Sequence, residues 1–187
     1  LGAESLTPLR LEGNEVLNLE TVEFLVDDTA ALGVQDVRAP EFDAFWKPNQ
    51  GTLNLGYTKA AAWLKFDVQA SKHPWLIELA YANLDRVDVW LYADGRLLSA
   101  YETGDSVPFL TRPVEHRHFL FPIPENQNQT ITVMMRIAST SSLQVPLSLW
   151  PVEAFYRNDQ KLQLIQGMFF GIMLVMAIYN FFIYLVI

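Results

Sequence analysis

From Leu162 to Ile187 the chain carries no charged residue, although every segment before Lys161 is charged at intervals. From Gly167 onward the one strongly polar residue is Asn180. The 21-residue run GMFFGIMLVMAIYNFFIYLVI would extend roughly 31 Å as a helix, close to the hydrocarbon thickness of a bilayer. A buried core helix of a small domain normally keeps a polar face, and this run has none. The expected organisation is therefore a water-exposed part, residues 1–150, a juxtamembrane helix over 151–163, and a membrane span over 164–187 that contacts the lipid bilayer. Within the span, Gly167 and Gly171 form GxxxG, two small residues on one helix face that let another backbone approach. Asn180 offers an amide to a neighbouring helix, either of the same protein or of a second copy.

The remaining composition excludes several classes. Hydrophobic residues make up 51% and charged residues 18%, which rules out a disordered chain. A net charge of −8 repels a phosphate backbone, so no nucleic-acid partner is expected. With no cysteine, disulfides, zinc–thiolate sites, Fe–S clusters and cysteine nucleophiles are absent. No Gly-rich phosphate loop, HExxH or EF-hand loop is present, and none of the three histidines stands in a recognisable catalytic set. No enzyme activity is expected within these residues.

Between Ala61 and Leu149 hydrophobicity alternates with a period of two. Ala62, Leu64, Phe66 and Val68 form one apolar row; Val87, Val89 and Leu91 a second; Ile131, Val133, Met135 and Ile137 a third. Further strands are expected over Leu11–Glu20, Val22–Val26, Trp75–Ala82, Leu97–Thr103, Glu115–Phe121 and Val145–Leu149. Turns are expected at Asp27-Asp28-Thr29, Lys72-His73-Pro74, Ala93-Asp94-Gly95, Gly104 to Pro108, Arg112-Pro113 and Pro124 to Gln129. Gly33–Arg38 reads as a helical turn, Trp46–Gly51 as a loop, and a helix is expected to begin near Val152 with Pro151 in its first turn. Short strands about ten residues apart, with no helices between them, specify an all-β sandwich or barrel. The Asn128-Gln129-Thr130 sequon carries no functional weight.

Four blocks carry a family resemblance: LNLGYT and AAAWLKF (Leu53–Thr58, Ala60–Phe66), WLIELAYANLDRVDVWL (Trp75–Leu91), GDSVPFLTRPVEHRHFLFPI (Gly104–Ile123), and SSLQVPLSLW (Ser141–Trp150) followed by the span. In this order they resemble the type 2 extracellular domain of bacterial seven-transmembrane receptors with diverse intracellular signalling modules (7TMR-DISM). The resemblance implies a jelly-roll β-sandwich similar to carbohydrate-binding modules, followed by a C-terminal transmembrane α-helix. It also implies a bacterial inner-membrane location with residues 1–163 in the periplasm, six further spans, and a cytoplasmic output module. That module is expected to be a diguanylate cyclase (GGDEF) rather than a histidine kinase. The N-terminal LGAES has neither a basic nor an apolar leader region, so a signal peptide either never existed or was removed.

The candidate ligand site is the face opposite Val87, Val89 and Leu91, with Arg86, Asp88, Trp90 and Tyr92. An aromatic ring offers a flat surface to a sugar's C–H groups, and a carboxylate beside a guanidinium offers paired hydrogen bonds to a carbohydrate-like or amino-acid ligand. Glu78, His118 and Arg136 join that face if neighbouring strands pair in the ordinary way. The competing reading is that Trp90 and Tyr92 pack a second side of the sandwich while Asp88 pairs with a nearby cation. Asp85 and Asp88 are a candidate Ca²⁺ pair, against solvated turn carboxylates; no other cofactor is expected. His116 and His118, two apart on one strand face, could bind a metal, against the reading of an ordinary polar strand face. Two functions remain: a ligand-sensing receptor ectodomain, or a protein-interaction or homodimerisation ectodomain without a small ligand.

Overall fold

The computed structural model describes residues 7–19, 21–69, 73–125 and 129–186. Parts of the turns expected at Lys72 and between Pro124 and Gln129, the Asn128 sequon, the LGAES segment and Ile187 lie outside the described residues. The chain divides into two compact units, one ending at Pro151 and one beginning at Val152.

Among the described residues the first unit has thirteen strands: β1 (Leu9–Arg10), β2 (Leu17–Asn18), β3 (Thr21–Asp27), β4 (Lys47–Gln50), β5 (Leu53–Tyr57), β6 (Ala61–Gln69), β7 (Trp75–Leu79), β8 (Arg86–Ala93), β9 (Arg96–Thr103), β10 (Phe119–Ile123), β11 (Thr130–Ala138), β12 (Ser142–Val145) and β13 (Leu147–Pro151). The larger sheet runs β4-β3-β6-β11-β8-β9, with β1 added in parallel to the far end of β6. A four-stranded sheet runs β10-β7-β13-β2, and β12 pairs with β5. Apart from the β1 pairing, every ladder is antiparallel.

The three apolar rows read from the sequence meet in one core. Leu64 and Phe66 of β6, Val87 to Leu91 on alternate positions of β8, and Val133 to Ile137 on alternate positions of β11 pack with Ile77 and Leu79 of β7, Phe119 and Phe121 of β10, and Leu149 of β13. Burying these rows between two sheets is what makes the sandwich stable in water, at about 25 cal/mol per Å² of apolar surface removed. A second cluster lies on the outer face of the larger sheet. There Leu25, Trp63, Tyr92 and Met134 are packed with Val37 and Trp46. These last two belong to the segment carrying helix α1 (Val34–Val37) and a short 3-10 helix (Pro40–Phe45). Strand β6 is accordingly buried on both faces over Ala61–Leu64, whereas a one-sided sheet would bury alternate residues.

Local chemistry explains the departures from the expected elements. Residues 11–16 form no strand; the pairing of this segment is confined to β2. Lys47–Gln50 is a strand rather than a loop, and its Pro48 is tolerated because β4 is the sheet edge. The strand β5 was not foreseen; Gly56, at φ +63°, sits where the β5–β12 register shifts. The strand expected from Glu115 begins only at Phe119, because the Arg112 guanidinium holds the carbonyls of His116 and Arg117. Pro146 splits the expected Val145–Leu149 strand into β12 and β13, which join different sheets. Pro151 closes β13 rather than opening the helix. The β8–β9 turn has positive φ at Asp94 and Gly95 (49° and 76°), the pattern of a type I′ hairpin.

The second unit is helix α2, Val152–Val186, 35 residues without a break. Its most apolar 18-residue window has a mean hydropathy of 2.2, and none of that window is buried in the protein. At about 1.5 Å per residue the helix extends roughly 52 Å, well beyond a hydrocarbon core of about 30 Å. Its charged residues, Glu153, Arg157, Asp159 and Lys161, all lie at the N-terminal end.

Candidate ligand site

The pairing of β8 with β11 and β9 sets Asp88 opposite Arg136 and Glu102, Trp90 opposite Met134, and Tyr92 opposite Thr132. Arg86, Asp88, Trp90, Tyr92 and Arg136 are thus brought to one face; the two arginines share Asp88, while each aromatic ring packs on a residue outside the set. The Arg86 Nε donates to both Asp88 oxygens, at 2.8 and 3.1 Å. One Arg136 nitrogen lies 3.6 Å from Asp88, and another donates to the Ala30 carbonyl at 2.7 Å. Burial raises the Asp88 carboxyl above its usual range, against the pull of Arg86 and Arg136. Trp90 stacks on the fully buried Trp63 at 5.6 Å and 18°. The guanidinium of Arg38 lies over the Tyr92 ring at 3.9 Å. The packing alternative for these aromatics, and the pairing of Asp88 with an arginine, describe what the structure places here.

Glu78 and His118 do not join that face. Glu78 lies on β7 of the four-stranded sheet, opposite Leu120 and Ser148, and its neighbours Ile77 and Leu79 point into the shared core. The pleat therefore turns Glu78 to the outside of the other sheet. Its Oε1 meets His118 Nδ1 at 2.7 Å, and its Oε2 accepts from the Trp150 indole at 2.7 Å. The expected sharing failed because β7 and β11 belong to different sheets.

An open cavity of about 530 Å³ lies at the rim of the sandwich. Tyr57, Thr58 and Lys59 border it where β5 leads toward β6; Asp85 and Arg86 border it at the start of β8; Ala138, Ser139 and Thr140 border it at the end of β11. Two contacts fix its wall. Asp85 Oδ2 accepts from the Thr140 backbone at 2.6 Å and from its hydroxyl at 2.8 Å, and these bonds, the backbone one first, lower the Asp85 carboxyl. Gly104, at φ +153°, lies so close that a Cβ would stand 2.1 Å from the Asp85 carbonyl oxygen. Tyr57 is 86% exposed, the highest value among the exposed large hydrophobic side chains. Of the residues read from the sequence as ligand-binding, only Arg86 lines this cavity. Strand alternation does not single out Tyr57, Lys59, Ser139 and Thr140, which lie at a strand end and in connections. The available signals were the Gly-Tyr-Thr-Lys run at 56–59 and the Ser-Thr-Ser-Ser run at 139–142, both polar connections between strands.

Asp85 and Asp88, the candidate Ca²⁺ pair, both have partners within the protein. Asp85 is taken by Thr140, and Asp88 by two guanidinium groups. Among the described residues no three His, Cys, Asp or Glu side chains gather as ligands. In α2, a Cβ added at Gly167 or Gly171 would meet nothing within 4 Å. Asn180 donates one amide N–H to the Met176 carbonyl of its own helix at 2.9 Å.

A mostly antiparallel β domain is followed in the chain by a helix long and apolar enough to cross a membrane. Residues 20–151 match the family described as 7TMR-DISM extracellular 2, and the chain belongs to that family. No curated protein matches the sequence. The family is an extracellular sensor domain that is itself non-catalytic, and together with α2 it fits a transmembrane receptor.

Proposed function

We propose that this chain is the periplasmic ligand-sensing domain and first span of a bacterial inner-membrane receptor, and that its ligand is a small hydroxyl-rich, carbohydrate-like molecule bound in the rim cavity. The observation that carries the reading is the cavity itself. Its volume of about 530 Å³ lies in the range of small-molecule sites. An exposed tyrosine ring stands beside donors from Lys59 and Arg86 and beside the Asp85 carboxylate, the mixture that a ring bearing both hydroxyls and C–H faces requires. The site borders the start of β8 and the end of β11, and the chain continues from β11 through β12 and β13 into α2 with no linker between Pro151 and Val152. A ligand that binds two arrangements of this rim unequally shifts their populations, and β13 hands the difference to the helix. The family resemblance supports a diguanylate cyclase as the output module.

Isothermal titration of residues 1–187 in detergent micelles with glucose, galactose and maltose tests the site. Binding that is weakened at least tenfold by Tyr57→Ala supports it; absence of binding by the unmodified chain rejects it. The interaction-module reading has one observation in its favour. Val107, Phe109 and Leu110 are exposed on one loop, Leu110 by 82%. A dimer in analytical ultracentrifugation that Leu110→Ser dissolves would support that reading.

A further inference from the structure

The outer face of the four-stranded sheet holds a cluster that the ligand site does not use. Glu78 is buried, with a side-chain exposure of 11%. His118 Nδ1 lies 2.7 Å from its Oε1, and the Trp150 indole Nε1 donates to its Oε2 at 2.7 Å. His118 is partly open to water, with 28% of its side chain exposed. Its own backbone N–H donates to His116 Nδ1 at 3.0 Å, and the two imidazoles meet edge to face at 5.3 Å. Trp150 is the penultimate residue of β13, two places before α2 begins.

We propose that Glu78 is a proton-reading latch between His118 and Trp150, which registers the pH outside the membrane at a residue two places before the helix in the chain. Histidine is the side chain that ordinarily changes charge between about pH 5 and 8. Neutral His118 gives Glu78 an ordinary hydrogen bond; protonated His118 gives it a charge-assisted one. The added positive charge draws the carboxylate's negative charge toward Oε1. Oε2 then becomes a weaker acceptor for the Trp150 indole, so acidification loosens the Trp150 end as it tightens the His118 end. Glu78 from β7 and His116 from the preceding loop contact His118 directly; Arg117 is its chain neighbour, and Arg112, itself under the influence of Asp105, holds the carbonyls of that loop. Arg112 is committed to the His116 and Arg117 carbonyls and lies over the Phe119 ring at 4.4 Å. The facing residue from β13 is the uncharged Trp150. The latch stands without the receptor reading; its use as a signal rests on that reading.

The test is the indole N–H resonance of Trp150 in ¹⁵N-tryptophan-labelled chain, residues 1–187 in micelles, followed from pH 8 to pH 5. Trp150→Phe assigns the peak among the five tryptophans. The expected result is an upfield movement with a single midpoint, abolished by His118→Gln, which keeps a neutral donor, and retained by His116→Gln. A stationary Trp150 peak, or one that moves equally in His118→Gln, overturns the latch. In the full-length receptor, output that follows external pH in the parent and not in His118→Gln supports the signalling use. Flat output with an intact resonance titration overturns that use alone.

Discussion

Two regions of the sandwich offer the same residue types and do different work. The outer face of β8 and β11 has tryptophan, tyrosine, carboxylate and guanidinium, yet Trp90 lies on Trp63, Tyr92 lies under Arg38, and Asp88 is closed between Arg86 and Arg136. The rim cavity has tyrosine, carboxylate, guanidinium and ammonium, yet Tyr57 stands almost wholly in water. The difference is the segment at residues 32–46. It lays Leu32, Val37, Phe42 and Trp46 against the first region, and none of its residues lines the second. An aromatic and a charge on one strand face become a binding surface only where nothing else in the chain covers them.

That contrast can be broken by substitution, starting where the effect is largest. Trp63→Ala removes a fully buried indole from beneath Trp90 and should cost about 4 kcal/mol of stability in urea unfolding. A cost under about 1 kcal/mol would show that the covered face is not core. Asp88→Ala leaves Arg136 facing an empty pocket, and the expected loss is about 3 kcal/mol, the low end for a buried pair because Arg86 reaches water. Melting of the unmodified chain should follow pH in two opposite senses. Burial raises the folded-state pKa of Asp88, so its contribution is present in acid and declines as pH rises through that pKa. Burial also works to raise Asp27, but hydrogen bonds from the Thr29 side chain and from the backbone at Leu32, Thr29 and Ala30 outweigh it and hold the carboxyl down. The Asp27 contribution is therefore present at neutral pH and is lost as pH falls through its depressed folded pKa. Thermal melts of Asp88→Asn and Asp27→Asn between pH 3 and 7 should each remove one of these slopes; unchanged slopes would contradict the assignment. Smallest is Tyr57→Ala, expected to move stability by no more than about 0.5 kcal/mol.

The sandwich was legible in the sequence where alternation was strict. The rows of β6, β8 and β11 were placed correctly because each has one face that must leave water. The helix was legible because uncharged residues in such a run have few other places to go. What alternation cannot report is a third layer. Trp63, Tyr92 and Met134 occupy positions that a two-layer reading assigns to solvent, and only the fold of residues 32–46 over them makes them core. Sheet membership was equally invisible. Glu78 shares residue chemistry with Asp88, but the crossing of residues 80–85 from β7 to β8 puts the two carboxylates on separate sheets, and His118 lies in the loop before β10. The rim cavity escaped notice because its residues come from three connections distant in sequence, and no periodicity links them.

The most direct test pairs calorimetric affinity with unfolding free energy for the chain in micelles, with maltose as the probe. Tyr57→Ala should weaken maltose at least about tenfold, or about 1.4 kcal/mol, with its stability intact. Trp90→Ala should lose stability while the protein that remains folded binds maltose as the parent does. An account centred on the rim cavity is contradicted if Trp90→Ala abolishes binding at full stability and Tyr57→Ala binds unchanged.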